Sequence, residues 1–147
     1  EMYRAAVDAY DRADAAIMCA AVADYAPETV SDVKLKRSGD ERVLRLKPNP
    51  DIAAELGRRK RPGQCLVGFA LETNDEESNA RLKMEKKNLD FIVLNSLRDA
   101  GAGFRCDTNK VTVIGREGEP VEIPCKLKTE VAADIVDILA RYLTDSH

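Results

Sequence analysis

The chain has 147 residues, a formal net charge of −3 and a sequence pI of about 5.3. This length corresponds to one domain, and 44% apolar with 33% charged residues is typical of a soluble globular protein. The acidic balance argues against a nucleic-acid-binding surface. The longest apolar run, Ala15–Ala23, is too short to cross a bilayer, and no secretion signal precedes it. We therefore expect a cytoplasmic protein with neither a membrane nor a nucleic-acid partner.

Cysteine and histidine usage excludes several classes of enzyme. The four cysteines, Cys19, Cys65, Cys106 and Cys125, are scattered without a CxxC pair, which indicates reduced thiols rather than a disulfide framework. The only histidine is His147. Catalysis by Ser-His-Asp or Cys-His and histidine-rich metal sites are therefore excluded, and we expect no metal-ligating residues.

Helical and strand-like segments alternate along the chain. Apolar residues recur at helical spacing over residues 2–13 and predict an opening helix. Continuous apolar runs predict three buried, parallel strands, at Ala15–Ala23, Cys65–Ala70 and Phe91–Leu94. Polar stretches before the second and third strands predict two helices, at Pro50–Lys60 with Asn49 as its cap and at Asp75–Lys87. The alternation predicts an α/β fold, namely a Rossmann-like three-layer domain with a mostly parallel central sheet.

Two hairpins and a closing helix complete the predicted fold. Val33–Arg37 and Val43–Lys47 alternate apolar and cationic residues, which predicts a β-hairpin flap at about residues 31–48. Lys110–Ile114 and Pro120–Ile123 predict a second hairpin, and an apolar stripe over residues 127–142 predicts the closing helix. Nucleotide-binding α/β domains usually open with a strand and a glycine-rich turn. We therefore expect residues 1–147 to be a single domain that lacks its first βα portion.

Three predicted strands end at residues that could contact a ligand. Asp24 follows the first apolar run, Phe69 lies near the end of the second, and Asn95 follows the third. Ligands of open α/β sheets bind beyond the carboxyl ends of the strands, and Gly68 would let a ligand approach the backbone closely. Taken one at a time, the pattern favours the alternative interpretation, in which Asp24 is a solvated residue after a core strand and Phe69 packs in the core, and Asn95 by itself indicates nothing.

Two cationic segments could meet a phosphate group at these strand ends. Lys34 and Lys36 share one face of a predicted strand, and Lys83 and Lys87 share one face of a predicted helix. Cations on a mobile flap could offset the charge of a phosphate in a transition state. Protection of a sheet edge by lysine and a solvated helix surface are the alternative interpretations.

Together these segments resemble the phosphopantothenoylcysteine synthetase family of coenzyme A biosynthesis, over nearly the whole chain. The segments that carry the resemblance are Ala20–Tyr25, Lys34–Arg37, Asn49–Ile52, Gly68–Thr73, Lys83–Asp90, Asn95, Phe104, Asp107 and Asn109. The chain departs from the family at Arg37, where lysine is usual, and at Leu71, where a small residue is commoner. The family's glycine-rich opening, with an asparagine that helps to form the intermediate, is also missing, so the resemblance is to an N-terminally truncated member.

The resemblance implies a ligase that uses CTP, with Mg²⁺, to join 4′-phosphopantothenate to L-cysteine through an acyl-cytidylate. The residues that it implies at the nucleotide are Ala21, Asp24, Lys34, Pro50, Asp51, Ile52, Phe69, Lys83 and Lys87. Four of these would surround the cytidine, namely Pro50, Asp51, Ile52 and Phe69, and Lys83 and Lys87 would hold the triphosphate. Ala20 and Asn95 would contact the substrate. Lys34 would be the catalytic residue, on the flap, that assists conversion of the acyl-cytidylate.

The resemblance also implies a homodimer with the flap near the partner subunit. A flavin-dependent decarboxylase, the part that binds FMN, is often fused upstream in the family and is absent from this chain. Whether the chain turns over by itself is left open, because the upstream portion is expected to be missing. Two alternatives remain. One is a non-catalytic nucleotide-binding or assembly module of the same fold, and the other is an unrelated α/β domain whose basic hairpin meets an acidic protein.

Overall fold

The computed structural model describes residues 1–37, 39, 41–72, 75–96 and 106–145. Thr73, Phe104 and His147, which were singled out from the sequence, lie outside the described residues. The chain divides into two compact units. We call Glu1–Cys19 with Ile52–His147 the core unit and Ala20–Asp51 the insert unit.

Four helices and seven strands make up the described secondary structure. In chain order they are α1 (Met2–Tyr10), β1 (Ala15–Met18), β2 (Tyr25–Pro27), β3 (Leu46–Pro48), α2 (Ile52–Arg59), β4 (Cys65–Glu72), α3 (Glu76–Lys86), β5 (Phe91–Ser96), β6 (Thr108–Gly115), β7 (Val121–Leu127) and α4 (Lys128–Asp145). No helix among the described residues has both the length and the apolar character that a bilayer span requires.

The core unit is built on a five-stranded sheet in the order β1-β4-β5-β6-β7. β1, β4 and β5 run parallel, and β6 and β7 extend the sheet as an antiparallel hairpin. Gly118, with a φ of 83°, lies in the loop of that hairpin, where a left-handed conformation favours glycine. The predicted α/β class, the second hairpin and the closing helix are thereby confirmed.

Helices cover both faces of this sheet. Alternation along each strand sends neighbouring side chains to opposite faces. One face packs against α1, α2 and α3, in a core made of Val7, Tyr10, Ile52, Leu56, Leu66, Ala70, Ala80, Met84, Leu89, Ile92, Leu94 and Ile114. The other face packs against α4, in a core made of Cys65, Val67, Val93, Val111, Val113, Ile123, Val131, Ile135 and Leu139. We call these the α3 face and the α4 face. The resulting three layers explain why the apolar runs of β4 and β5 are continuous.

The hairpin in the insert unit is shorter than predicted and uses other residues. β2 pairs with β3 from Tyr25 opposite Pro48 to Pro27 opposite Leu46, and Glu28 N–H extends the pairing to the Arg45 carbonyl at 2.9 Å. The prediction of paired strands at Val33–Arg37 and Val43–Lys47 was wrong, apart from the last two residues.

The physical reason for this difference is that the apolar residues of the insert unit have nothing to pack against within their own unit. Val30, Val33 and Val43 are 85%, 73% and 85% exposed. A two-stranded ribbon without a packed face is marginally stable, and pairing is therefore limited to the base of the arms.

The predicted boundaries of β1 and α2 also require correction. β1 ends at Met18 rather than Ala23, because the residues that follow it are exposed and have left the sheet. α2 begins at Ile52 rather than at Pro50. Asn49 is therefore not its cap, and its side chain instead bonds a backbone carbonyl of the insert unit.

The four thiols are all free, and they differ in accessibility. Cys65 on β4 is fully buried, whereas Cys19, Cys106 and Cys125 are exposed. Burial raises the pKa of the Cys65 thiol to about 12, with a smaller contribution from the Asp90 charge. A raised pKa keeps the thiol protonated and unreactive near neutral pH.

We therefore predict that iodoacetamide at pH 7.5 alkylates three cysteines of the native chain and all four in denaturant. Peptide mass spectrometry identifies the protected thiol as Cys65. The variant with Cys19, Cys106 and Cys125 all changed to serine should take up no label when native. Rapid native labelling of Cys65 in that variant would contradict the packing of β4.

Gly68 on β4 makes room for a core side chain. A Cβ atom at this position would lie 2.6 Å from Leu89 Cδ1, and Leu89 is only 2% exposed. Gly68 was expected to allow a ligand to approach the backbone, but its missing side chain instead accommodates Leu89 on the α3 face.

We predict that Gly68→Ala lowers the free energy of unfolding by about 1–3 kcal/mol, the usual range for overpacking a core. Chemical denaturation followed by circular dichroism measures the change. Because the two sites are in contact, Gly68→Ala should lower the free energy of unfolding less in the Leu89→Val variant than in the unmodified chain. Strictly additive losses would show that Leu89 is not the neighbour that Gly68 accommodates.

Candidate functional site

Asn49 joins two segments of the insert unit that the resemblance assigns to the nucleotide. Its Nδ2 donates to the Ala23 carbonyl at 2.9 Å, and its backbone N–H donates to the Asp24 carbonyl at 2.8 Å. These bonds continue the β2–β3 pairing, in which Tyr25 lies opposite Pro48. The backbone at Ala23–Asp24 is therefore held beside Asn49 and the start of Pro50–Asp51.

The remaining predicted residues of the insert unit are exposed. Ala20, Ala21 and Asp24 follow β1, and their small or polar side chains face solvent. Lys34 is exposed on the arm between β2 and β3, outside both strands. An exposed cation on an arm of this kind is accessible to an anionic ligand.

In the core unit, the end of α3 is packed tightly against α2. A Cβ atom at Gly57 of α2 would lie 1.9 Å from the carbonyl oxygen of Lys87 and 2.8 Å from its carbonyl carbon. Lys87 is the C-cap of α3. Only glycine permits this approach, so Gly57 determines how closely the lysine-bearing end of α3 lies to α2.

Asn88 holds this contact together through hydrogen bonds. Its φ of 52° is left-handed, a conformation that asparagine and glycine adopt most readily after a helix. Asn88 Nδ2 donates to the Gly57 carbonyl at 2.8 Å, and Arg116 Nη2 donates to Asn88 Oδ1 at 2.6 Å. We call Gly57, Lys87 and Asn88 the α2–α3 joint.

A buried carboxylate lies directly below the joint. The Asp90 side chain is 7% exposed, and its Oδ1 accepts from Lys60 Nζ at 2.7 Å and from Arg116 Nε at 3.3 Å. Its Oδ2 accepts the Leu66 backbone N–H at 2.8 Å. Lys60 Nζ also donates to the Asn88 carbonyl at 2.8 Å. The network connects the joint to the first residues of β4 and β5.

The joint places Lys87 beside the last turn of α2. Lys83 precedes Lys87 by four residues, or about 6 Å along α3. Residues four apart share one side of a helix, so the two lysines lie on the same side of the helix end that the joint holds.

The charge of Glu55 on α2 is compensated. Arg58 donates two hydrogen bonds to its carboxylate, at 2.7 and 3.1 Å, and Arg59 donates a third at 2.5 Å. These bonds lower the pKa of Glu55 to about 2. Both arginines are in the last turn of α2 and interact with Tyr3 of α1, so this cluster belongs to the α1 side of α2.

Ile52 and Phe69 do not offer their side chains to this surface. Ile52 is 5% exposed and belongs to the core on the α3 face, so only its backbone is available to a ligand. Phe69 packs with the α4-face core, whereas Ala80 and Met84 of α3 belong to the α3-face core. Strand alternation thus directs the Phe69 ring to the sheet face opposite the one that α3 covers.

Asn95 forms a separate polar pair on β5 and β6. Asn109 Nδ2 donates to Asn95 Oδ1 at 2.7 Å. Asn95 lies opposite Leu71 of β4 and shares the α4 face with Phe69 and Val93 by strand alternation. The structure thus brings Asn95 nearer to Phe69 than to the lysines of α3.

Acidic residues do not form a metal cage in the described parts of the chain. No three His, Cys, Asp or Glu side chains there come together in a way that could hold a metal ion. The described residues thus do not fit a Mg²⁺ ion held by protein ligands alone. Mg²⁺ in nucleotide sites is mostly held by substrate phosphates and water with one or two carboxylates.

Several residues of the site were not identified from the sequence. Gly57, Lys60 and Arg116 carry no motif that marks them, whereas Asp90 ends the segment Lys83–Asp90 that carries the resemblance but was given no role of its own. Asn88 did have a recognisable signal, since an asparagine directly after a helical stretch often adopts the left-handed conformation.

Comparison with known proteins identifies the family of the chain. Residues 1–143 match the model of the DNA/pantothenate metabolism flavoprotein C-terminal domain. The chain is 44% identical over 140 residues to the coenzyme A biosynthesis bifunctional protein CoaBC of Bacillus subtilis, covering 95% of this chain and 34% of that protein. It is 54% identical over 136 residues to a cysteine/cysteine sulfinic acid decarboxylase from an unknown prokaryotic organism, covering 92% of this chain and 38% of the relative. The chain thus spans about a third of the length of these relatives.

Solved structures agree with the sequence relatives. The C-terminal domain of a coenzyme A biosynthesis bifunctional protein CoaBC superposes with a TM-score of 0.77 at 35% identity, covering 98% of this chain and 62% of that one. A DNA/pantothenate metabolism flavoprotein from Streptococcus pneumoniae shares the fold, with a TM-score of 0.67 at 22% identity, covering 96% of this chain and 66% of that one. The chain therefore belongs to the DNA/pantothenate metabolism flavoprotein C-terminal domain family, which confirms its resemblance to the phosphopantothenoylcysteine synthetases.

Proposed function

We propose that this chain is the nucleotide-binding and amide-forming part of a ligase of coenzyme A biosynthesis that joins 4′-phosphopantothenate to L-cysteine with CTP. The observation that carries the proposal is the family match over residues 1–143, supported by 44% identity to a coenzyme A biosynthesis protein. The name of the decarboxylase relative applies to a protein of which this chain covers 38%, so that activity is not tied to the matching segment.

The proposed reaction has two steps. A carboxylate oxygen of phosphopantothenate attacks the α-phosphorus of CTP, a P–O bond forms, and pyrophosphate leaves. The amine of cysteine then attacks the acyl carbon, an amide bond forms, CMP leaves and the amine loses a proton. Because the first step brings a carboxylate toward a triphosphate, stabilisation by cations matters more than a general base. The absence of a catalytic histidine from the proposed mechanism is consistent with that requirement.

Lys83 and Lys87 would bind the triphosphate. Both lie at the end of α3, and the close contact with Gly57 holds that end beside α2. The backbone of Ile52, in the first turn of α2, would contact the cytidine. Mg²⁺ would enter with the phosphates, since the described residues do not form a metal cage of their own.

Four residues of the insert unit would also contact the nucleotide. Ala21, Asp24, Pro50 and Asp51 lie on the two segments that Asn49 holds together, which supports assigning them to one ligand. Phe69, whose ring packs on the α4 face, would contact the cytidine rather than the triphosphate.

Two further residues would contact the phosphopantothenoyl part of the intermediate. Ala20 has a small, exposed side chain beside the nucleotide segments. Asn95 accepts a hydrogen bond from Asn109 through Oδ1, and its NH₂ group would donate to the substrate. Lys34, an exposed cation on the arm of the insert unit, would assist conversion of the acyl-cytidylate by offsetting charge on the departing CMP.

The proposed partners follow from the same assignment. Val30, Val33, Leu35, Val43, Leu44 and Leu46 are apolar and more than half exposed on the insert unit. A second copy of the chain that covers them would give the homodimer that the family resemblance implies. A flavin decarboxylase with FMN, fused or associated, would supply the remainder of a bifunctional protein in the cytoplasm.

We predict that CTP with Mg²⁺ raises the melting temperature of the chain more than ATP does at equal concentration. A ligand at 100 times its dissociation constant stabilises the folded state by about 2.7 kcal/mol, which corresponds to a shift of several degrees. Differential scanning fluorimetry measures it. Equal shifts with all nucleotides would favour a non-catalytic nucleotide-binding module. No shift, in the natural full-length polypeptide as well, would favour an unrelated domain with a protein partner.

We predict that Lys34→Ala lowers formation of the amide product by about 100-fold or more in the natural full-length polypeptide, the usual loss when one charge-stabilising group is removed. Rapid-quench assays with labelled CTP should show that pyrophosphate is still released while acyl-cytidylate accumulates. Arg45→Ala, which removes a cation of the same unit, is the matched control and should retain activity. Equal activity of Lys34→Ala and Arg45→Ala would refute the assigned role.

A further inference from the structure

Asn88 is the residue at which α3 turns toward β5, and its conformation determines where the helix ends. Its φ is 52°, and its N–H donates to the Glu85 carbonyl at 3.1 Å. The next residue, Leu89, donates its N–H to the Met84 carbonyl at 2.9 Å. These two bonds close the helix with a left-handed residue, and Lys87 is its last residue before the turn.

Each polar group of Asn88 has a partner in the core unit. The side chain bridges two elements, because Nδ2 donates to the Gly57 carbonyl of α2 and Oδ1 accepts from Arg116 beyond β6. The backbone carbonyl accepts from Lys60, and the backbone N–H is used in the turn. Asn88 is thus engaged in holding the chain rather than presenting groups to a ligand.

The partners of Asn88 are themselves fixed. Lys60 and Arg116 both bond the buried carboxylate of Asp90, and Asp90 also exchanges backbone and side-chain bonds with Leu66. Lys60 is 11% exposed in this arrangement. The joint therefore rests on a network anchored in the starts of two central strands.

Gly57 transmits this positioning to Lys87. The Lys87 carbonyl is so close to α2 that a Cβ atom at Gly57 would be 1.9 Å away. Loss of the bond between Asn88 and the Gly57 carbonyl would therefore shift Lys87 relative to the last turn of α2. Lys83 moves with it, since both lysines belong to the same short helix.

We propose that Asn88 is a positioning residue for the ligation reaction, which holds Lys87 and Lys83 at the distance from α2 that the triphosphate of CTP requires. The inference rests on the proposed role of these two lysines. Asn88 acts through them and does not touch the nucleotide. Misplacing a charge by about 1 Å can cost about 100-fold in rate, so a hydrogen bond remote from the reacting atoms can affect catalysis.

Asparagine meets two requirements at this position. Alanine would disfavour the left-handed conformation and lose both side-chain bonds. Glycine adopts the conformation easily and loses only the bonds. Aspartate tolerates the conformation and can accept from Arg116, but it cannot donate to the Gly57 carbonyl. Glycine and aspartate therefore separate the positioning function from the ability to form the turn.

The test measures steady-state kinetics and CTP binding of Asn88→Gly and Asn88→Asp in the natural full-length polypeptide. Both variants should fold, with a modest loss of melting temperature. We expect KM and Kd for CTP to rise about 10-fold, which corresponds to about 1.4 kcal/mol. KM for cysteine should remain unchanged. Val113→Ala is the matched control, because it destabilises the core on the α4 face, away from the joint, and should leave KM for CTP unchanged.

Lys83→Ala and Lys87→Ala distinguish failure of this inference from failure of the proposed function. If neither lysine variant weakens CTP binding, the assignment of the triphosphate site is wrong and the inference falls with it. The inference is overturned if the lysine variants weaken CTP binding but both Asn88 variants change only the melting temperature, which is the result expected of Val113→Ala. Asn88 would then have a structural role alone.

Discussion

The arrangement of the core unit depends on the carboxylate of Asp90. It is almost completely buried, and it accepts hydrogen bonds from Lys60, from Arg116 and from the backbone of Leu66. Removing one partner of such a buried pair commonly costs about 3–5 kcal/mol, because the other charge is then left without compensation. The same contacts join β4, β5, the end of α2 and the end of the β6 strand. A single side chain thus connects the sheet to the ends of α2 and α3, two of the three helices that cover its α3 face.

This anchoring explains how lysines on an exposed surface can have a defined backbone position. Lys83 is exposed and Lys87 is partly buried, and long lysine side chains lose entropy when they are ordered. The backbone that carries them is fixed by its contact with Gly57, by the hydrogen bonds of Asn88 and by the Asp90 network. In the proposed ligase, such a scaffold would let two ammonium groups act as preorganised charges rather than as freely moving ones. The insert unit, by contrast, is held mainly by its β2–β3 pairing and by Asn49.

Sequence patterns predicted well wherever burial imposed them. The runs at Cys65–Ala70 and Phe91–Leu94 became β4 and β5, and the apolar stripe that ends the chain became α4. They failed where local alternation had no packing partner, as on the arms of the insert unit around Val33 and Val43. The prediction that Asn49 caps α2 was also wrong, because the Asn49 side-chain amide instead donates to the carbonyl of Ala23 in another segment. Local propensity decides little when tertiary contacts offer an alternative.

Composition, apolar periodicity and the ordered set of motifs by themselves determined the α/β class and the family of this chain, because these properties depend on which residues are buried and on their spacing. Tertiary structure alone decided which face of the sheet each candidate residue occupies. It placed Phe69 on the α4 face and α3 on the other, and it assigned Gly68 to the packing of Leu89. The hydrogen bonds of Asn88 to Gly57 and Arg116 join positions that are 31 and 28 residues apart. No local pattern records such pairs, since they form only when separate elements meet across the fold.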